Sequence, residues 1–442
     1  MIRADLARLG GRFAVMLGGE VLQSLFHLGL NLALIRVLSA HDYGLFAMVF
    51  VLGGVGLTLV RALAGVPAAT SIPQARSARA ARALAVSFGT GAGILGLALA
   101  GLTTAGLLPF IGRDALAAGA FVGLWSLRSY LRIVLFAQRR AALAGASDLA
   151  FTVSGTLMLA LLLAAGGGDV LGMSFALLAA AHGLGIAAAF ALTREPVRIG
   201  LRHTRRRYAR LRGSLSWSLA GVTTANVQAQ GQILLIGALA GPEAYAPIAA
   251  CLVLFSPLRL LGAVVVNLIQ PEMAVQLMRG EEGQARLRCL LGASTAALLA
   301  ACLAYGIALA ALFTPIEDRL LAGRFAGEPL GLIAATVWLT VTVTMLYAAP
   351  KTLLETRRAF RNLAVTALAS ACTGMVLIAL LIVFGSPAWS MAGVALSEMV
   401  VLIRCWRALA PSHDRDSPRR RRWSGLTLEL RDGSVKPSRV IR

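Results

Sequence analysis

Apolar runs long enough to cross a bilayer recur from one end of this chain to the other, and they leave few folds open to it. Twelve lie at roughly 13–37, 44–64, 84–108, 115–136, 143–165, 170–192, 214–238, 245–269, 288–313, 330–349, 363–384 and 389–409. An α-helix rises about 1.5 Å per residue, so about 20 apolar residues span a hydrocarbon layer of about 30 Å. Over 442 residues the composition is 58% hydrophobic and 14% charged, too little polar surface for a soluble protein of that length. A β-barrel is excluded, because its strands would be about 10 residues of strict alternation. The predicted fold class is an all-α polytopic membrane protein with twelve transmembrane helices.

The formal net charge is +22, almost all of it arginine. Such a balance in a soluble protein would point to nucleic acid. Here the arginines fall in every second loop, which is a topology signal, and no nucleic-acid partner is expected. Loop 65–83 carries Arg76, Arg79 and Arg82, and loop 137–142 carries Arg139 and Arg140. Loop 193–213 carries Arg194, Arg198, Arg202, Arg205, Arg206, Arg207, Arg210 and Arg212. Loops 270–287 and 350–362 add Arg279, Arg286, Lys351, Arg357, Arg358 and Arg361. The alternate loops 38–43, 166–169, 239–244 and 385–388 hold no lysine or arginine. Loop 109–114 has Arg113 alone, and loop 314–329 offsets Arg319 and Arg324 with Glu317, Asp318 and Glu328. Both termini are therefore expected in the cytoplasm.

The arginine-rich stretch 194–212 separates two sets of six spans. Six is even, so both sets insert the same way up. A short polar turn repeats between them: Leu34, Ile35, Leu38 and Asp42 align with Leu235, Ile236, Leu239 and Glu243 at a constant offset of 201 residues. Parallel repeats about an axis along the membrane normal follow. The expected organisation is an N-terminal six-helix bundle over 1–193, a basic cytoplasmic linker over 194–212, a C-terminal six-helix bundle over 213–409, and a disordered basic tail over 410–442. The tail, with Arg419 to Arg422, either lies on anionic lipid of the cytoplasmic leaflet or has no role. The segment with Arg3, Arg8 and Arg12 reads as a short interfacial helix, and the first span lacks the small-residue cleavage site of a signal peptide.

Motifs of soluble chemistry fail on context. Gly91-Ala92-Gly93-Ile94-Leu95-Gly96 has the dinucleotide-binding spacing but lies inside the third span, where glycines serve close helix packing. The cysteines Cys251, Cys289, Cys302, Cys372 and Cys405 form no paired metal or disulfide spacing. No catalytic set, metal site or cofactor motif stands in the chain. His41-Asp42 is the acid–base pair of the first bare loop, and Asp42 is read as capping the helix that follows.

Ionisable residues within spans carry more information. A charge at the bilayer centre costs roughly 2.5–3.5 kcal/mol on insertion scales, so it faces the protein interior or a wet cavity. Glu20 and His27 share a face of the first helix, with Arg36 at its far end. Arg61 is near the inner end of the second helix, and Arg128 and Arg132 stand four apart on the fourth. Glu398 is near the middle of the twelfth, and the seventh carries Asn226, Gln228, Gln230 and Gln232. More buried cations than anions argue for an anionic cargo. Three of the arginines, Arg36, Arg61 and Arg132, also have a plain reading as snorkelling to an interface, and Glu20 as pairing with Arg61. The amides suit hydroxyl-rich cargo and interhelical bonding alike.

Arg36-x-Leu38-Ser39-x-x-Asp42-Tyr43-Gly44-x-Phe46 resembles the first outward turn of the polysaccharide and oligosaccharide-lipid flippases of the multidrug/oligosaccharidyl-lipid/polysaccharide (MOP) exporter superfamily. Leu239-x-Gly241-Pro242-Glu243 resembles the equivalent turn of the second half, and Ala137-Gln138-Arg139-Arg140 the basic loop after the fourth span. The resemblance implies two six-helix bundles around a central cavity. It implies a polyprenyl-pyrophosphate-linked oligosaccharide carried from the inner to the outer leaflet, and association with polysaccharide polymerisation machinery. On that reading Arg36, Arg61, Arg128 and Arg132 neutralise the pyrophosphate, Asn226, Gln228 and Gln230 meet the sugar, and Glu20, His27 or Glu398 carries a coupling ion. The chain departs from the family at Ala244-Tyr245, where a Tyr-Gly pair is expected, and at the seventh helix, which is uncharged near Gln228. A drug or cation exporter of the same superfamily, and a membrane glycosyltransferase acting through Asp42, are the alternatives.

Overall fold

The computed structural model describes residues 2–138, 140–165, 168–193, 198–319, 321, 323–325, 327–357 and 359–409. All regular structure among them is helical. The chain opens with α1 (Ile2–Val37), α2 (Ala40–Val60), a π-helical turn over Arg61–Gly65, and α3 (Val66–Ser71), which continues the same rod. There follow α4 (Ala78–Ile111), α5 (Asp114–Ala137), α6 (Ala141–Ala165) and α7 (Val170–Thr193). The second half begins with α8 (Leu201–Asn226), a π-turn over Val227–Gly231, α9 (Gln232–Leu254) and α10 (Ser256–Met278). Then come α11 (Gly280–Ala311), the short α12 (Phe313–Arg319), α13 (Leu330–Thr356), α14 (Phe360–Phe384), a 3₁₀ turn over Pro387–Trp389, and α15 (Ser390–Leu409).

Local chemistry sets the breaks. Ser39 is the N-cap of α2: its hydroxyl accepts from the Asp42 N–H at 3.0 Å and donates to the Asp42 carboxylate at 2.7 Å. The cap is thus Ser39, with Asp42 as its reciprocal partner at the third helical position, rather than Asp42 itself. Gly241, at φ +87°, interrupts α9 with a non-helical residue. The seventh span therefore runs through α8 to Gly241, and the eighth through the rest of α9 and α10, bent at Phe255 before Pro257. Among the described residues eleven helices have the length and composition to cross a membrane. The 36-residue α1, whose apolar run Glu20, Gln23, His27 and Asn31 interrupt, makes the twelfth. It continues without a break from Ile2, so the expected separate interfacial helix at the N-terminus is instead the start of this rod. The tail from 410 lies outside the described residues.

Helices α1, α2 and α4 to α7 pack into one bundle, and α9 to α11 with α13 to α15 into a second. One apolar core joins them: Phe46, Phe121, Phe151 and Phe175 from the first half are continuous with Ile236, Tyr245, Phe255 and Val337 from the second. The turns after α1, α4 and α6 lie together at one end, where they line a common cleft. The linker part of α8 packs on α4 toward the opposite end, beside the arginine-rich loops. These ends are called the bare face and the basic face below.

Candidate functional site

Two polar clusters sit inside the bundles, one in each. In the first, Arg128 of α5 is 3% exposed and all three of its nitrogens are engaged. Nη1 donates to Asp148 Oδ1 at 2.8 Å, Nε to His182 Nδ1 at 3.0 Å, and Nη2 to Gln23 Oε1, while the guanidinium lies 4.2 Å from the centre of the Phe151 ring. Arg132, one turn on, donates from Nε to Asp148 Oδ2 at 2.9 Å, from Nη1 to Glu20 Oε1 at 2.5 Å and from Nη2 to the Met16 carbonyl at 3.1 Å. Asp148 of α6 is thus shared by two guanidinium groups, and Glu20 bonds Arg132 rather than the expected Arg61. Gly19 makes the approach of α1 possible, since a Cβ there would lie 2.3 Å from Asp148 Oδ2. His182 accepts at Nδ1, so its own proton is on Nε2, which has no partner. His27 is boxed by Phe50, Trp125 and Phe151 at ring distances of 5.0–5.8 Å, and its Nδ1 is also unpartnered.

In the second bundle Glu398 of α15 is 5% exposed and has neutral donors only. Gln228 Nε2 donates to Oε1 at 2.7 Å and the Tyr347 hydroxyl to Oε2 at 2.6 Å. Among the described residues no cation is within ion-pair distance of it. Gln232 accepts from Ser397 at 2.9 Å beside it. Gln228 and Gln232 stand 201 residues after His27 and Asn31, so the first helix of each half turns polar residues into its own bundle at the same two positions. The amides of the seventh span therefore do not form one cargo-facing stripe. Gln228 and Gln232 point inward, Asn226 accepts from Thr58 of α2 at 2.9 Å, and the Gln230 amide lies against Gly54 of α2.

Between the bundles the bare face is shut. The two repeated turns meet there: a Cβ on Gly44 would lie 1.9 Å from the Pro242 carbonyl oxygen, and one on Gly237 would lie 2.7 Å from Met48 Sδ. Arg36 donates to the Arg319 carbonyl and Arg324 donates to the Val37 carbonyl at 3.3 Å, so each half ties a helix end of the other. Arg36 is thus placed in a latch. A cleft of about 440 Å³ beside it is lined by His41, Asp42, Asp114 and Asp169.

Arg259 is the residue the sequence reading passed over. It lies inside the eighth span, two residues beyond Pro257, where α10 begins and packs against α1 of the other bundle. Its side chain is exposed in the structure. Arg61, on the π-turn of α2, is exposed and stands within three residues of the matching repeat position. Among the described residues neither Arg61 nor Arg259 forms an ion pair. The overlooked signal was plain: an arginine in an apolar run beside a proline, and an aspartate, Asp148, in another.

No protein-family model matches the sequence, and no curated protein does. Solved structures do match. An inward-facing multidrug resistance MATE family transporter of the MOP superfamily aligns with TM-score 0.64 at 14% identity, covering 88% of this chain and 94% of that one. The fold is that of MOP-superfamily transporters. The lipid II flippase MurJ, in an inward closed conformation, aligns with TM-score 0.60 at 13% identity over 88% of this chain and 86% of its own. A MOP superfamily transporter from Pyrococcus furiosus, described as having a binding pocket of reverse polarity that suggests a different function, aligns with TM-score 0.58 at 12% identity over 91% of this chain and 94% of its own. The MOP fold makes the chain a multi-pass membrane protein built from two six-helix repeats.

Proposed function

We propose that this protein carries a polyprenyl-pyrophosphate-linked oligosaccharide from the inner to the outer leaflet of a bacterial cytoplasmic membrane by alternating access, with its basic face in the cytoplasm. Cell-surface polysaccharide biosynthesis is the process served, and the delivered glycan would pass to polymerisation machinery at the far leaflet. The observation that carries the reading is Arg259: an exposed cation within an apolar span, on a helix that packs against α1 of the other bundle, with no ion pair among the described residues. An unpaired guanidinium at that depth is costly unless an anion shares the space, and its planar fork suits a phosphate. Arg61 supplies a second cation, from the other half, that forms no ion pair among the described residues. Arg128 and Arg132, by contrast, have their nitrogens taken up by Asp148, Glu20, Gln23 and His182, so in this conformation they hold α1 to its bundle. The closed bare face is the state that would load cargo from the basic side. Coupling falls to Glu398, a carboxylate with neutral partners, and to Glu20, whose half-exposed side chain bonds Arg132. MurJ, named as a lipid II flippase, supports a lipid-linked cargo within this fold.

Export of cationic drugs is the second reading, favoured by the multidrug MATE relative. Binding to purified protein separates the two. A short-chain polyprenyl-pyrophosphate disaccharide should bind, and Arg259→Ala should weaken that binding by roughly tenfold or more, the loss of one charge-assisted contact. Binding of ethidium with no binding of the pyrophosphate would favour the exporter.

A further inference from the structure

The linker part of α8 carries an arginine plate that the transport reading does not use. Its Thr204, Tyr208 and Leu211 recur at helical spacing and face α4. The Thr204 hydroxyl donates to the Ser87 carbonyl at 3.0 Å, the Gly200 N–H donates to Thr90 Oγ1 at 3.0 Å, and the Tyr208 ring meets Phe88 edge-on at 6.1 Å. With that face pinned, Arg202, Arg205, Arg206, Arg210 and Arg212 are exposed on the others. Arg76, Arg79 and Arg82, at the start of α4, are exposed as well. Nothing nearby in sequence neutralises them: no acidic residue occurs between Asp42 and Asp114, or between Glu195 and Glu243. Among the described residues none of these eight arginines forms an ion pair.

The depth of the plate follows from α4. Its exposed apolar side chains, Ile94, Leu97, Leu102, Leu108 and Phe110, mark the band that faces lipid. Thr90 precedes Ile94 by four residues, about 6 Å of helix, so the linker meets α4 at the edge of that band. Apolar residues bracket the arginines: Ile199 is 76% exposed, Leu201 61% and Trp217 81%. Apolar side chains that can enter the acyl boundary, a tryptophan at interface depth and a row of guanidinium groups are the parts of a lipid-surface element. We infer that this plate binds anionic phospholipid headgroups of the leaflet on the basic face. The inference rests on the membrane fold and not on the identity of the cargo. It adds a helix of fixed geometry to the lipid contact expected of the tail. Because α8 runs on into the second bundle while its first turns are pinned to the first, the bound lipids would grip the strap between the two.

The test uses the full-length protein purified in detergent with a mixture of phosphatidylglycerol and phosphatidylcholine, retained lipid being read by native mass spectrometry. Wild type should retain phosphatidylglycerol preferentially, and less so as salt rises. The variant Arg202→Gln/Arg205→Gln/Arg206→Gln/Arg210→Gln should lose that preference several-fold. Neutralising Arg419 to Arg422 in the same way should leave it in place, and added inorganic phosphate should not displace the lipid. Quenching of Trp217 gives a second reading that needs no charge variant: brominated phosphatidylglycerol should quench wild type more than brominated phosphatidylcholine, and the difference should vanish in Trp217→Phe. Equal retention of both lipids by wild type, an undiminished preference in the α8 variant, or equal quenching by both lipids would overturn the assignment.

Discussion

Asp148 is the most committed residue in the molecule: buried, and held by two arginines at 2.8 and 2.9 Å. Asp148→Ala leaves two cations in a low-dielectric interior and should cost about 3–5 kcal/mol, seen as a lowered melting temperature in detergent. The matched change Arg128→Met/Asp148→Leu should recover part of that loss, because no buried charge is then left over in that pair. Glu398 differs, since both its contacts are neutral donors that a glutamine can keep in part. Glu398→Gln should melt close to wild type while removing the pH dependence of transport. A large loss of stability would show that the carboxylate is structural. Here the sequence was half legible. Helical spacing put Arg128 and Arg132 on one face, but their partners lie 16 to 116 positions away, on other helices, where no periodicity reaches. They were read as cargo contacts because their shared carboxylate, Asp148, stands alone in the fifth apolar span and offered no pattern to pair with.

The elements that can be tested most sharply are the second helices of the two halves, which meet at the bare face. Gly44→Leu sets a side chain where the Pro242 carbonyl already stands 1.9 Å from an added Cβ. It should hold the bare face apart, and spin labels at His41 and Glu243, both exposed, should report a longer mean distance than in wild type. Arg36→Ala/Arg324→Ala removes the two cross-ties and should shift the same distance in the same direction, by less. An unchanged distance in both variants would mean that these contacts do not govern closure. Both turns were visible in the sequence through Ser39, Gly44, Gly241 and Pro242, residues whose capping and backbone preferences act locally. The π-turns at Arg61–Gly65 and Val227–Gly231 were not, because the extra residue in such a turn answers to packing by neighbouring helices.

For the molecule as a whole, hydropathy and loop charge sufficed for the helix count and the two-fold plan, since a bilayer demands long apolar helices and sorts arginine by side. The route between the bundles was not readable, since it depends on which side chains stay unpaired after packing. Among the described residues Arg61 and Arg259 are arginines within spans that form no ion pair, and the account stands on their meeting an acidic lipid headgroup. Leaflet exchange of a fluorescent polyprenyl-pyrophosphate glycan in vesicles is the most direct measurement. Wild type should move the glycan between leaflets, Arg259→Ala and Arg61→Ala should each slow it at least tenfold at equal reconstitution, and the variant with both should abolish it. Unchanged exchange in Arg259→Ala, or no exchange by wild type above protein-free vesicles, would contradict the account.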